Sequence, residues 1–162
     1  MVDKFKDRRD SNFGRPWQGI WKNVKPEELD DVPTKGVLDG THWGYHLLVD
    51  CSECNENIDD EVKVELFIRE LVKKLKMKPL GKPIVIKVDG KQEGRGITAV
   101  QVITTSTITF HADDDKMSVY LDVFSCAPYE PKVALDLFYS YFEPKHIAYK
   151  WLLRDAGNWP KK

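Results

Sequence analysis

A hydroxyl, an imidazole and a thiol fall within one short stretch of this 162-residue chain. Thr104-Thr105-Ser106-Thr107-Ile108-Thr109-Phe110-His111 is followed, after a polar break, by Asp122-Val123-Phe124-Ser125-Cys126. Composition alone describes a Thr-rich strand pair. The residue types also suit nucleophilic chemistry, because a weak hydroxyl nucleophile needs a nearby base and a proton donor to turn over. Three other groups carry chemical options beside plain ones. Cys51-Ser52-Glu53-Cys54 has the spacing of half a zinc site or of a thiol-disulfide pair, but no second CxxC or HxxxH accompanies it and no βαβ pattern surrounds it. His42, His46 and His146 are scattered, as structural histidines are. Asp113-Asp114-Asp115 reads as a solvated turn before it reads as a cation site, so no metal is expected.

The elements that must hold these residues are legible in the apolar spacing. A short run from Tyr45 to Val49 predicts a strand. Val64, Phe67, Ile68, Leu71, Val72 and Leu75 then recur at helical intervals and form one stripe. Asp59, Asp60 and Glu61 complement the N-terminal end of that helix dipole, and Lys73, Lys74, Lys76 and Lys78 complement the other end before Pro79 and Gly81. After Pro83, β-branched runs predict strands at Ile84 to Val88, Ile97 to Ile103, Thr107 to His111 and Met117 to Cys126, the last two joined by a hairpin through Asp113 to Lys116. A helix follows Pro131 with Ala134, Leu137, Phe138 and Tyr141 on one face, and Ile147 to Leu153 offers a final strand after Pro144. The order β, α, four strands, α, β predicts an α+β two-layer sandwich: a mainly antiparallel sheet with two helices on one face.

Composition narrows the function classes. Lys and Arg number 25 against 26 Asp and Glu, and 41% of residues are hydrophobic, which describes one globular domain without the basic field that phosphate backbones require. No nucleic-acid partner is expected. No apolar run approaches the roughly 20 residues that cross a bilayer, and Met1 to Asp10 is charged, so neither membrane nor export is expected and the cytoplasm is the expected compartment. Three cysteines point to free thiols. Residues 1 to 38, with Trp17 and Trp21 among Pro16, Pro26 and Pro33, read as an irregular N-terminal extension to a domain spanning 39 to 162.

Three groups of residues together resemble the prokaryotic-type S-adenosylmethionine decarboxylase proenzymes: Gly44-Tyr45-His46-Leu47, the block Ser106 to His111, and Leu121-Asp122-Val123-Phe124-Ser125-Cys126 before a helix. The likeness runs over about residues 42 to 154, in the same order and at compatible spacings. It implies a chain that makes its own cofactor. Ser106 would attack the carbonyl of Thr105, and β-elimination would then cut the chain into pieces of 105 and 57 residues, leaving a pyruvoyl group at the new N-terminus. The ketone would form a Schiff base with S-adenosylmethionine and act as the electron sink for loss of CO2, the part that PLP plays elsewhere. The product would supply aminopropyl groups for spermidine.

The resemblance also assigns roles. His111 matches a histidine that assists self-cleavage, and Cys126 a cysteine that returns a proton to the substrate carbon, which a thiol of pKa about 8.5 can do near neutral pH. Thr98 aligns with a serine that supports processing, and Asp115 with a glutamate that holds ribose hydroxyls. Many members have Glu before the serine and His after it, where this chain has Thr105 and Thr107. The aromatic that stacks on adenine in some relatives falls near Gln92, so Trp43 or Phe110 would replace it, core packing being the commoner role for a residue such as Phe110.

Strand geometry adds a constraint. Five residues at roughly 3.3 Å each put Ser106 and His111 about 16 Å apart and on opposite faces of a straight strand. Either the chain kinks at Thr104 to Ser106, or His111 and Thr98 serve the Ser106 and Cys126 of a second protomer. The second option, a homodimer with sites at its two-fold interface, is the expectation. Two alternatives keep the fold but change the function: pyruvoyl-dependent decarboxylation of arginine or ornithine, and a non-catalytic regulatory paralogue.

Overall fold

A computed structural model describes residues 22–24, 43–90 and 94–155. Among the described residues seven strands form one sheet: β1 (Lys22–Val24), β2 (Gly44–Ser52), β3 (Ile84–Asp89), β4 (Arg95–Ile103), β5 (Ser106–Asp113), β6 (Ser118–Ser125) and β7 (His146–Arg154). Their order across the sheet is β1-β7-β2-β6-β5-β4-β3, with every pairing antiparallel. Helices α1 (Glu61–Lys74) and α2 (Pro131–Phe142) contact each other and complete the sandwich. The four-strand block and the flanking helices occur where the periodicity places them. One element was not legible: Lys22–Val24, inside the segment expected to be irregular, pairs with Tyr149, Ala148 and Ile147 of β7. The rest of residues 1–38, with Trp17 and Trp21, lies outside the described residues, as do His42 and Gln92.

The period-two pattern divides the sheet into a buried and an open face. Leu47, Val49, Ile97, Ala99, Ile108, Phe110, Ala112, Val119, Leu121 and Val123 are buried. Between them, Thr98, His111 and Tyr120 stand exposed on the other side. The six stripe residues, Val64 to Val72 in α1 and Leu75 at its C-cap, are all buried, and each such side chain contributes about 1.5–3 kcal/mol relative to exposure. Phe67 sits at the centre of that core, with ring centroids 6.1 Å from Phe110, 5.8 Å from Phe138 and 5.0 Å from Phe142. Phe110 therefore has the core role its strand position predicts. Asp60 caps α1 by accepting from the amides of Val62 at 2.8 Å and Lys63 at 3.1 Å. Among the described residues no helix is long and apolar enough to cross a membrane.

Two details fix the central hairpins. Residues 104–105 form the two-residue turn between β4 and β5, and residues 114–117 the turn between β5 and β6. At Gly96 the chain has φ +159°, and a Cβ there would lie 1.9 Å from the carbonyl oxygen of Ala112. Only glycine allows β4 and β5 to meet so closely at that point.

Candidate active site

Residue pairing brings Ser106 and Cys126 to one end of the β5–β6 hairpin. Ser106 opens β5 opposite Ser125, the last residue of β6, and exposed Cys126 follows directly. The contact that matters chemically is a backbone one: the amide of Cys126 donates to the carbonyl oxygen of Thr105 at 2.9 Å. That carbonyl belongs to the Thr105–Ser106 peptide, so a hydrogen-bond donor already points at the oxygen that an attack by Ser106 would charge. On its other side the turn is braced by the amide of Thr104, which donates to the Lys78 carbonyl at 3.0 Å.

Ser106 itself has φ +148°. A residue bearing a Cβ is held in that region at a cost of about 1–3 kcal/mol, and such outliers cluster where chemistry uses them. Trp43 belongs to the same end. It precedes β2, whose Tyr45 pairs with Ser125, and its exposed ring lies 6.0 Å from that of Phe124.

Thr98 and His111 meet five residues along β5. They face each other in the β4–β5 register, and Thr98 Oγ1 lies 2.8 Å from His111 Nδ1. Both are exposed on the open face, where the His111 ring stacks 6.4 Å from that of Tyr120. Asp115 is in the turn just beyond, exposed. β5 runs unbroken from Ser106 to Asp113, so the six candidate residues divide into two sets within one chain: Ser106, Cys126 and Trp43 at one end, Thr98, His111 and Asp115 toward the other. The structure brings Thr98 against His111 and Ser106 beside Cys126, with Trp43 and Asp115 at the respective ends but not in contact with them.

Several polar groups were not singled out by residue type. On the open face between the two sets, Arg154 donates to His46 Nδ1 at 2.9 Å, which leaves His46 Nε2–H to face Asp122 Oδ1 at 3.1 Å, and Thr109 donates to Asp122 Oδ2 at 3.3 Å. Burial, and then the charge of Asp122, raises the carboxyl of Asp50 beyond. Fully buried Ser125 touches Thr105. These are cross-strand contacts between residues far apart in the chain, visible only once the register is known.

The remaining motifs lie elsewhere. Cys51 and Cys54 are buried with Sγ atoms 3.3 Å apart, and their mutual hydrogen bond, then burial, pushes the Cys51 thiol up. No group of three His, Cys, Asp or Glu able to hold a metal occurs among the described residues. Asp114 is buried beside Asp59, and burial followed by that neighbour raises its carboxyl to about 6.

An antiparallel sheet with two helices on one face defines a two-layer α+β sandwich, and along one of its hairpins lie Ser106, Cys126 and His111. The model of the S-adenosylmethionine decarboxylase family matches residues 45–155, and the chain belongs to that family of carboxy-lyases. S-adenosylmethionine decarboxylase proenzymes of Clostridium botulinum are similar to it: one from strain Hall is 32% identical over 84 residues, 52% of this chain and 69% of that protein, and one from strain Loch Maree is 30% identical over the same shares. The crystal structure of the adenosylmethionine decarboxylase from Aquifex aeolicus superposes with a TM-score of 0.60 at 19% identity, covering 75% of this chain and 97% of that one, which shows the shared fold.

Proposed function

We propose that this chain is a self-processing decarboxylase of S-adenosylmethionine, supplying aminopropyl groups for spermidine from a pyruvoyl group made from Ser106. The observation that carries the reading is the Thr105–Ser106 peptide: a serine at φ +148° follows a carbonyl held at 2.9 Å by an amide. Ser106 Oγ attacks the Thr105 carbonyl carbon; the C–N bond breaks, the nitrogen keeps the hydroxyl proton, and the amide becomes an ester. Removal of the Ser106 α-proton then expels the Thr105 carboxylate. The enamine left at residue 106 takes up water and loses ammonia to leave the ketone. The pyruvoyl group supplies a carbonyl that captures the substrate's amine and accepts electrons as CO2 departs.

The chain's own residues do the rest. His111, positioned by Thr98, is the base for the α-proton. Cys126, exposed beside residue 106, returns a proton to the substrate carbon. Trp43 offers a π face to adenine, and Asp115 accepts from the ribose hydroxyls.

His111 lies about 16 Å along β5 from Ser106, too far to share a proton within one chain, so the base reaches the serine from a second copy. Two features favour a homodimer built on the open face. Ile84, Ile86, Val88 and Val102 are exposed there beside Thr98, an apolar stripe of the kind that marks an interface. The two residue sets also lie at opposite ends of one hairpin, and a two-fold axis between facing hairpins sets each end against its complement.

Co-expression tests the arrangement. Ser106→Ala and His111→Ala chains, each inactive alone, should together regain about one working site per mixed dimer; failure to regain cleavage and CO2 release from S-adenosylmethionine would retire the shared site. Parallel assays with arginine and ornithine identify the substrate.

A further inference from the structure

The segment Ser125-Cys126 touches Thr105 at two points, one on its backbone and one on its side chain. The backbone contact is the Cys126 amide on the Thr105 carbonyl at 2.9 Å. The side-chain contact involves Ser125, which has no exposed surface. Its Oγ lies 3.0 Å from Thr105 Oγ1, 2.8 Å from the Ala127 carbonyl oxygen and 3.0 Å from the Ala127 amide nitrogen. Hydrogen-bond inventory assigns the protons. The Ala127 carbonyl can only accept and its amide can only donate, so the single Ser125 proton goes to Ala127 O and the Ala127 amide fills one Ser125 lone pair. Thr105 is then the donor to the remaining lone pair.

Resting on the self-cleavage reading above, we propose that Ser125 is a positioning residue for that cleavage: it anchors the Thr105 side chain so that the Thr105 carbonyl stays on the Cys126 amide. When Ser106 Oγ bonds to the carbonyl carbon, the π electron pair moves onto the Thr105 oxygen, and a donor already within hydrogen-bond distance stabilises that charge without reorganising. Rotation of the Thr105 peptide would lose the alignment, and a side chain fixed at its β-carbon opposes that rotation. The strained φ of Ser106 makes the restraint necessary, because an unanchored peptide relaxes away from +148°. Thr105 thus participates through its hydroxyl, in a chain without a carboxylate at that position.

The test follows the uncut fraction of the full chain over time by intact mass, with melting temperature recorded for each variant. Wild type, Ser125→Ala, Thr105→Val and Thr105→Ser are compared. Val keeps the shape and β-branching of Thr and loses only the donor; Ser restores the donor without the methyl. Ser125→Ala and Thr105→Val should each slow cleavage about tenfold, and Thr105→Ser should cleave within about twofold of wild type. Thr105→Val cleaving at the wild-type rate would overturn the anchor, even if Ser125→Ala were slow or failed to fold, since Ser125 would then act only through Ala127. A wild-type chain that never cleaves would instead overturn the self-processing reading on which the anchor depends.

Discussion

At the scale of single residues, function rests on what each side chain can do where the backbone puts it. The proposed mechanism makes Ser106 the nucleophile and Cys126 the donor of the later proton, so their variants should fail at different stages. Ser106→Ala should leave the chain uncut. Cys126→Ala should still be cut but lose at least about a hundredfold in CO2 release, the usual scale of a lost general acid; an uncut Cys126→Ala would move the thiol into processing. Asp114 yields a stability prediction. Its carboxyl is raised to about 6 by burial and by Asp59, with Arg95 and Lys87 opposing. The unfolded chain gives up this proton near pH 4 while the folded chain keeps it, so stability falls as pH rises from about 4 to 6 and stays lowered above that. Asp114→Asn should therefore stabilise the protein at pH 7.5 by on the order of 2 kcal/mol and have little effect at pH 4, measured by chemical denaturation at both values.

At the scale of elements, the hairpins fix which residues meet. Gly96 shows how strictly: the 1.9 Å approach to the Ala112 oxygen leaves no space for a methyl, and φ is +159°. Gly96→Ala should cost about 2–4 kcal/mol by denaturant titration and weaken cleavage by separating Thr98 from His111. A neutral result would mean that β4 and β5 shift apart freely. Much at this scale was readable beforehand. The stripe from Val64 to Leu75 marked α1, and the β-branched runs marked β3 to β6, because burial on one side imposes a period that local sequence must obey. What was not readable depends on register. The Cys126 amide on Thr105, the Ser125 anchor and the pairing of Lys22–Val24 with β7 join residues whose types carry no local signal of their partners. A kink at Thr104 to Ser106 was one of the two options strand spacing left open, but the positive φ at Ser106 was not readable, because serine gives no hint of a backbone region usually left to glycine.

At the scale of the whole molecule, one face of the sheet is filled by two helices and the other carries Thr98, His111 and an apolar stripe. Exposing Ile84, Ile86 and Val88 along one edge strand invites aggregation unless something covers them. The proposed dimer would cover them with a second copy and complete the site at once. Ile86→Lys should give a monomer by light scattering, with melting temperature changed by only a few degrees and cleavage reduced in step with dimer loss. A monomer that cleaves at full rate would place the base within one chain.

The central claim is that Ser106 cuts its own backbone. Intact-mass measurement of the purified full chain addresses it directly. Two pieces of 105 and 57 residues are expected, the smaller beginning with a ketone that hydroxylamine modifies, while Ser106→Ala remains whole. A wild-type chain that stays at 162 residues and is inert to hydroxylamine would contradict the claim.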